Sequence, residues 1–196
     1  YSDQINVIKI IAQSLPVDFK LYVKEHPAMK LFGWRDITFY KKILKMPNVE
    51  LVNPIVSNDK LIQNCKMVIT IAGTSGLESA FYNKPSIVLS DVNYRNPSCV
   101  TRLYDIQKLP ETIKTSLKQT VDLHELNHFV NVLYDISFIS DVNDLIQQVD
   151  DLFSIGGFLS GFEISSSKME YFLKKNKEIF EKIALEHIKK IKMIKK

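Results

Sequence analysis

Residues 67–80 read Met67-Val-Ile-Thr-Ile-Ala-Gly-Thr-Ser-Gly-Leu-Glu-Ser-Ala80, and this stretch decides the fold. An apolar run is followed by a turn of small residues, and then by a segment of helical character that ends before Lys84-Pro85. The pattern predicts a buried strand, a tight turn and the start of a helix. Unpaired backbone N–H groups at such a turn favour the binding of an anion, above all a phosphate.

Strands and helices alternate on both sides of that stretch. Apolar and β-branched runs predict strands at residues 19–23, 49–52, 67–71 and 86–89. Helical spacing and capping residues predict helices at residues 3–14, 36–45, 58–64 and 75–82. This alternation predicts an α/β fold, in which a parallel sheet has helices on both faces.

The alternating pattern weakens after residue 90. Residues 100–104 are a candidate fifth strand, and residues 110–119, 122–134 and 141–153 have helical character. A glycine-rich break at residues 155–161 precedes one long predicted helix over residues 165–194. We therefore expect a domain at residues 1–155, followed by a lysine-rich helical extension at residues 156–196.

The composition is that of an ordinary soluble globular protein, and no apolar run approaches the roughly 20 residues that span a bilayer. Residues 168–196 hold ten lysines and four glutamates, so this segment has a net charge of +6 and the other 167 residues have −2. A nucleic-acid partner is therefore not expected. Cys65 and Cys99 lack metal-ligand spacing, which favours a reducing cytoplasm. The chain begins at Tyr1, without a methionine, and we expect it to be a fragment.

Polar residues follow two of the predicted strands. Lys24-Glu25-His26-Pro27 comes after the strand at residues 19–23, and Gly73-Thr-Ser-Gly76 comes after the strand at residues 67–71. Ligands of open parallel sheets bind beyond the carboxyl ends of the strands, so both clusters are expected to border one pocket. A plainer interpretation accompanies each cluster. The turn can be a connection that needs small residues for packing, and an isolated histidine is more often structural than catalytic.

Other polar residues have two interpretations as well. A carboxylate at Glu78, one turn into the predicted helix, is favoured by the helix dipole by about 0.3–1 kcal/mol, but it can also accept hydrogen bonds from a ribose. Arg35 and Tyr94 are further candidates for the same rim. His124 and His128 share a helical face without a third metal ligand, so we expect a solvated face and no metal. The turn lacks both the P-loop lysine and the dinucleotide-binding glycine pattern.

A series of motifs occurs in a specific order: Tyr22-Val-Lys-Glu-His-Pro27, Gly33, Arg35, Pro47-Asn-Val49, the stretch from Ile69 to Glu78, and Asn83-Lys-Pro-Ser86. Together they resemble the C-terminal half of bacterial capsule and surface-polysaccharide glycosyltransferases with two Rossmann domains, the GT-B architecture. The most similar group is the capsule polysaccharide biosynthesis family that includes Kdo transferases, whose HP motif matches His26-Pro27. The resemblance covers about residues 1–105 and none of the tail.

The resemblance implies a Rossmann-like domain that binds a nucleotide-sugar donor, such as a CMP- or UDP-sugar, without a cofactor. It implies a glycosyltransferase whose acceptor site belongs to an N-terminal domain outside this chain, so that the chain alone is expected to be inactive. His26 is implied as a catalytic residue. The implied donor-binding residues are Lys24, His26, Pro27, Arg35, Gly73, Thr74, Ser75, Gly76 and Glu78.

Two alternatives remain open. A sugar-nucleotide epimerase of the UDP-N-acetylglucosamine 2-epimerase kind shares the architecture, although Ala72-Gly-Thr-Ser-Gly76 departs from the Ser-Gly-Gly that is usual there. A non-catalytic module for nucleotide binding or membrane docking is the other, because a basic helix at residues 168–196 can lie on an anionic membrane surface. We expect a cytoplasmic protein, either free or peripheral on the inner face of the membrane.

Overall fold

The structure is a computed structural model that describes residues 3–26, 29, 35–138, 142–155, 158–159 and 165–194. The chain divides into two compact units, Tyr1–Val130 and Asn131–Lys196. The domain boundary predicted between residues 155 and 156 stays a prediction, because a division into compact units does not test where a nucleotide-binding domain ends.

Helices and strands alternate in the first unit as the sequence predicts. The strands are β1 (Leu21–Lys24), β2 (Val49–Val52), β3 (Val68–Thr70), β4 (Ser86–Val88) and β5 (Val100–Arg102). The helices are α1 (Gln4–Ser14), α2 (Ile37–Leu44), α3 (Asn58–Asn64), α4 (Ser75–Phe81), α5 (Leu109–Ser116) and α6 (Leu123–Ile136), the last of which continues beyond residue 130.

All five of these strands pair in parallel, in two hydrogen-bonded sets. β1 pairs with β2, and β3, β4 and β5 pair in that order. Leu21 of β1 packs against the hydrophobic clusters of both sets, so the two sets share side-chain packing at this point. The predicted Rossmann-like α/β class is confirmed. The alternation predicts one sheet, whereas the hydrogen bonds of the described strands divide it into two parts.

Helices cover both faces of β4. Successive side chains of a strand point to opposite sides, so this strand has packing partners on each face. Ile87 and Leu89 pack in a buried cluster with side chains of α1 and α5. Ser86 points the other way, and its hydroxyl donates to the carbonyl of Gly76 in α4 at 2.7 Å. The layered arrangement that the alternation predicts is therefore present around this strand.

Short polar side chains determine where several helices begin and end. Asp3, Asp36 and Ser57 each accept a hydrogen bond from a backbone N–H of the first helical turn, at 3.1, 2.7 and 3.2 Å. After α4 the chain turns at Asn83, whose φ of 56° is a conformation that asparagine tolerates better than most residues. The Asn83 Oδ1 atom also accepts the N–H of Val121 at 3.1 Å.

The second unit is mainly helical. Its elements are α7 (Asn143–Phe153), a hairpin of β6 (Ser154–Ile155) and β7 (Phe158–Leu159), α8 (Ser166–Lys175) and α9 (Lys177–Ile194). The prediction of one helix over residues 165–194 is wrong, because Asn176 interrupts it. Its buried side-chain amide donates to Gln148 Oε1 and to the carbonyl of Phe172, both at 2.9 Å. Across the described ranges, no helix combines the length and the apolar character needed to cross a membrane.

Candidate functional site

The carboxyl ends of β3, β4 and β5 lie at one level. Thr70, Val88 and Arg102 are the last residues of these strands and are paired in register. With neighbouring strands about 4.8 Å apart, the Cα atoms of Thr70 and Arg102 are about 10 Å apart. The segments that follow the three strands therefore border the same edge of the sheet.

The turn after β3 is closely packed. The Gly73 N–H donates to Thr70 Oγ1 at 3.0 Å, and the Tyr94 hydroxyl donates to the Gly73 carbonyl. Gly76 is buried, and a Cβ atom at this position would lie 2.8 Å from Tyr94 Oη and 3.2 Å from Thr70 Cγ2. The packing itself therefore requires a glycine at position 76, in line with the plainer interpretation of the small residues.

Two backbone N–H groups of this turn make no hydrogen bond to any residue that the structure describes. In the part of the chain that the structure describes, the backbone N–H groups of Thr74 and Ser75 meet no protein acceptor. Gly73 and Thr74 are exposed and Ser75 is half-buried, so this part of the turn lies at the surface. Because α4 is only seven residues long, its dipole is weak, and the two N–H groups are the stronger candidate donors for an anion.

Glu78 and Tyr94 each form a hydrogen bond with a residue of the turn. Glu78 Oε1 accepts a hydrogen bond from the Thr74 hydroxyl at 2.6 Å. Tyr94 was a candidate for the rim, but it is buried, with 4% of its surface exposed. Burial and, to a smaller extent, the negative charge of Glu78 raise the pKa of Tyr94, so its hydroxyl stays protonated and donates to Gly73.

Charged side chains form a network at the end of β1. Glu25 Oε2 accepts hydrogen bonds from Arg35 Nε at 2.9 Å and from the Tyr40 hydroxyl at 3.3 Å. Glu25 Oε1 accepts the backbone N–H of His26 at 3.3 Å. Arg35 also donates to Gln4 Oε1 at 2.8 Å, which links the network to the start of α1. The network holds the backbone from which the exposed His26 side chain extends.

The residues predicted at this strand end have the following positions. Arg35 is paired with Glu25 and lies over the Phe39 ring, 4.6 Å from its centroid. The Lys24 ammonium donates to Asn58 Oδ1 at 2.6 Å. Pro27 lies outside the described residues. Sequence reasoning assigned no role to Glu25, because its partners lie 10 and 15 residues away and leave no local pattern.

A second charged cluster, which sequence reasoning missed, lies at the ends of β4 and β5. Arg102 Nη1 donates to the carbonyl of Leu89 at 2.6 Å and also to that of Leu103. Arg95 Nη1 and Arg102 Nε lie 3.1 and 3.5 Å from the same oxygen, Asp91 Oδ1. The available signal was the rarity of arginine, since the chain has only three arginines.

The described ranges contain no group of three or more His, Cys, Asp or Glu side chains that could hold a metal ion. His124 and His128 are both exposed on α6. Burial raises the pKa of the Cys65 and Cys99 thiols, which disfavours the reactive thiolate form.

The fold and the edge together define an α/β protein of the Rossmann-like class, with its candidate site beyond the carboxyl ends of parallel strands. Residues 2–121 match the family described as capsule polysaccharide biosynthesis protein, and this chain belongs to that family. No curated protein and no solved structure matches the chain. Family membership confirms the capsule-biosynthesis part of the resemblance. The GT-B architecture, the Kdo-transferase likeness and the roles of the individual site residues stay predictions.

Proposed function

We propose that this chain binds the nucleotide-sugar donor of a glycosyltransferase that works in capsule polysaccharide synthesis. The observation that carries the proposal is the pair of unused, accessible N–H groups at Thr74 and Ser75, at the carboxyl end of β3. Two adjacent N–H groups in a turn can donate to the oxygens of one phosphate. A CMP- or UDP-sugar supplies that phosphate and requires no cofactor.

The other candidate residues have complementary roles in this proposal. The positive charges of Lys24 and Arg35 attract the phosphates, while Asn58 and Glu25 hold these two side chains in place. His26 donates a hydrogen bond to a phosphate oxygen of the donor. Glu78 accepts hydrogen bonds from the ribose hydroxyls. Gly73 and Gly76 allow the turn to pack closely, and Pro27 follows His26 in the chain.

His26 and the turn would act on the charge that develops during transfer. When the bond between the anomeric carbon and the phosphate oxygen breaks, the departing nucleotide gains negative charge on that oxygen. Donors that already point at the phosphate stabilise this charge without reorganising. A protonated His26 can also transfer its proton to the leaving oxygen. The acceptor and its base would come from a part of the protein outside this chain.

Replacing Thr74 with proline tests the backbone donor directly. Thr74 has φ −60°, which suits a proline, and Gly73 before it is the least restricted neighbour. Thr74→Pro removes the N–H and the hydroxyl, whereas Thr74→Ala removes only the hydroxyl. We expect Thr74→Pro to bind UDP or CMP about tenfold more weakly than Thr74→Ala in calorimetry, the loss of one hydrogen bond to a charged group. Equal affinities would contradict the proposed phosphate site, provided that both variants melt as wild type does.

His26→Ala tests the end of β1, and His128→Ala, at an exposed position of α6, is the matched control. We expect His26→Ala to weaken nucleotide binding or to abolish transfer in the full-length protein, and His128→Ala to change neither. If the kinetics of the two variants are alike, His26 has a structural role.

A second role is proposed for α9, as a contact with an anionic membrane surface. Leu185, Ile188 and Ile191 are 59%, 47% and 51% exposed on a helix rich in lysine, a combination typical of helices that lie on membranes. We expect the protein to co-sediment with phosphatidylglycerol vesicles but not with phosphatidylcholine vesicles. Ile188→Ser with Ile191→Ser should reduce the bound fraction, and an unchanged fraction would exclude this role.

A further inference from the structure

We propose that Arg95 and Arg102, with Asp91 as their shared counter-ion, form a second phosphate-binding point at the ends of β4 and β5. The point would take a phosphoryl group of the donor, so its biological ligand rests on the proposed function. The ability of this point to bind a phosphate rests on the three side chains themselves.

Arginine is rare in this chain, and all three arginines lie in the first unit. The sequence has three arginines and 23 lysines. Arg35 and Arg95 lie in segments that follow β1 and β4, and Arg102 is the last residue of β5. A planar guanidinium matches two oxygens of a phosphate at once, whereas an ammonium acts as a point charge that suits the solvated surface. Two of the three arginines therefore lie at the ends of β4 and β5, where their guanidinium groups suit a phosphate.

The Arg102 guanidinium is already fixed in position. Its Nη1 donates to the main-chain carbonyls of Leu89 and Leu103, and only 17% of the side chain is exposed. Its buried Nε has no hydrogen-bond partner among the described residues, since the nearest carboxylate oxygen, on Asp91, is 3.5 Å away. A buried donor of this kind normally has a partner. A phosphate oxygen would supply one, and little side-chain entropy would be lost because the guanidinium is held beforehand.

The charges of the cluster do not balance. Two guanidinium groups share one oxygen of Asp91, which leaves a net charge of about +1 on these three side chains. Asp91 is 70% exposed and Arg95 is 52% exposed, so their ion pair is weak and can open. An incoming phosphate would take the place of Asp91 at both arginines.

The cluster and the turn after β3 share a structural support. Tyr94, the residue before Arg95, donates to the Gly73 carbonyl, and Arg102 donates to Leu89 in the same connection. Thr70 ends β3 and Arg102 ends β5, the two strands on either side of β4, so their Cα atoms are about 10 Å apart. A nucleoside diphosphate is long enough to contact both places, so the two points can hold different phosphoryl groups of one ligand.

Calorimetry with inorganic pyrophosphate and with UDP tests this point on the full chain. We expect Arg95→Gln to weaken pyrophosphate binding about tenfold, the loss of one charge-assisted hydrogen bond. The matched control is Lys20→Gln, because Lys20 is an exposed cation paired with Glu50 and lies before β1, at the opposite edge. Lys20→Gln should change the affinity less than about twofold. Arg102→Lys should weaken binding too, and its melting temperature shows whether the fold has been kept.

Asp91→Asn gives the sharper result, because its expected effect has the opposite sign. Removing the competing carboxylate should strengthen pyrophosphate binding about threefold if an anion occupies the arginines. A purely structural ion pair predicts no gain in affinity. Unchanged or weaker binding in a folded Asp91→Asn protein would overturn the proposal.

Comparing the binding of pyrophosphate with that of UDP distinguishes this inference from the proposed function. If wild type binds UDP, and Arg95→Gln and Asp91→Asn bind it equally well, the second point is refuted and the donor role stands. If wild type binds pyrophosphate through the arginines but binds neither UDP nor CMP, the second point stands and the donor role falls. Binding of none of these ligands would refute both.

Discussion

The ends of β1 and β3 are both candidate binding points, and they are built in different ways. The turn after β3 consists of small residues, and the groups proposed to bind a ligand there are the main-chain N–H donors of Thr74 and Ser75. The end of β1 consists of long charged side chains, held by Glu25 through Arg35 and Tyr40. Packing determines the geometry of the first, and a network of charges determines that of the second.

The two strand ends should differ in how much stability a substitution costs. A packed main-chain turn has no alternative arrangement at low energy, so a change in volume costs stability. A network of partly exposed side chains can lose one member and be rescued in part by water. The turn after β3 should therefore be the more fragile of the two, and the following variants test that order.

The largest loss is expected for Gly76→Ala. A Cβ at position 76 would lie 2.8 Å from Tyr94 Oη and 3.1 Å from Tyr94 Cε2, both parts of a buried ring. Overpacking of this kind costs about 1–3 kcal/mol in the free energy of unfolding, which urea titration measures. Tyr94→Phe removes the closer of the two atoms, so the double variant should recover part of the loss. If Gly76→Ala unfolds at the wild-type urea concentration, the turn is not limited by packing.

Arg35→Gln should have a smaller effect. The side chains of Arg35 and Glu25 are 29% and 14% exposed, so this pair lies between exposed pairs, worth 0 to about 1 kcal/mol, and fully buried ones. We expect a loss of about 1–2 kcal/mol in the free energy of unfolding. The control is Lys20→Gln, whose pair with Glu50 is 59% and 46% exposed, and which should change the free energy of unfolding much less than Arg35→Gln does. Equal losses in the two variants would mean that the Glu25 network does not order the end of β1.

The same contrast explains how much of the molecule could be predicted from the sequence. The strand, turn and helix around Gly73 were predicted at residues 67–71 and 75–82, and they are observed at Val68–Thr70 and Ser75–Phe81. This success has a physical reason, since an apolar run, a turn and a helix start are all encoded by neighbouring residues. The fold class followed because the same local signals alternate along the chain.

Interactions between distant residues could not be predicted in this way. Glu25 is recognised as the centre of its network only when residues 4, 35 and 40 are brought together by the fold. Asn176 fits the polar side of a continuous helix, and its contact with Gln148, 28 residues earlier, is seen only in the folded chain. The anion-binding roles of Lys24, His26 and the turn stay predictions, because a pattern of residue types does not show which donors the protein itself has already used.

Tyr94→Phe should have the smallest effect, and its pH dependence makes it specific. Loss of the hydrogen bond to Gly73 should cost about 1 kcal/mol at neutral pH. Burial and then the charge of Glu78 raise the pKa of Tyr94 in the folded protein above its value of about 10 in the unfolded chain. The folded protein therefore binds this proton more tightly. That contribution is fully present below about pH 10 and is lost as the pH rises through the folded-state pKa.

Urea unfolding of wild type and Tyr94→Phe at about pH 7, 9 and 10.5 measures the difference. The two proteins differ only at residue 94, so the difference between the two curves reports Tyr94 alone. We expect the free energy of unfolding to fall more steeply above about pH 10 in wild type than in the variant. Tyr134→Phe, at a position 71% exposed, is the control and should follow wild type. If Tyr94→Phe and Tyr134→Phe have the same slope, folding does not raise the pKa of Tyr94, and its hydrogen bond to Gly73 does not hold the turn in place.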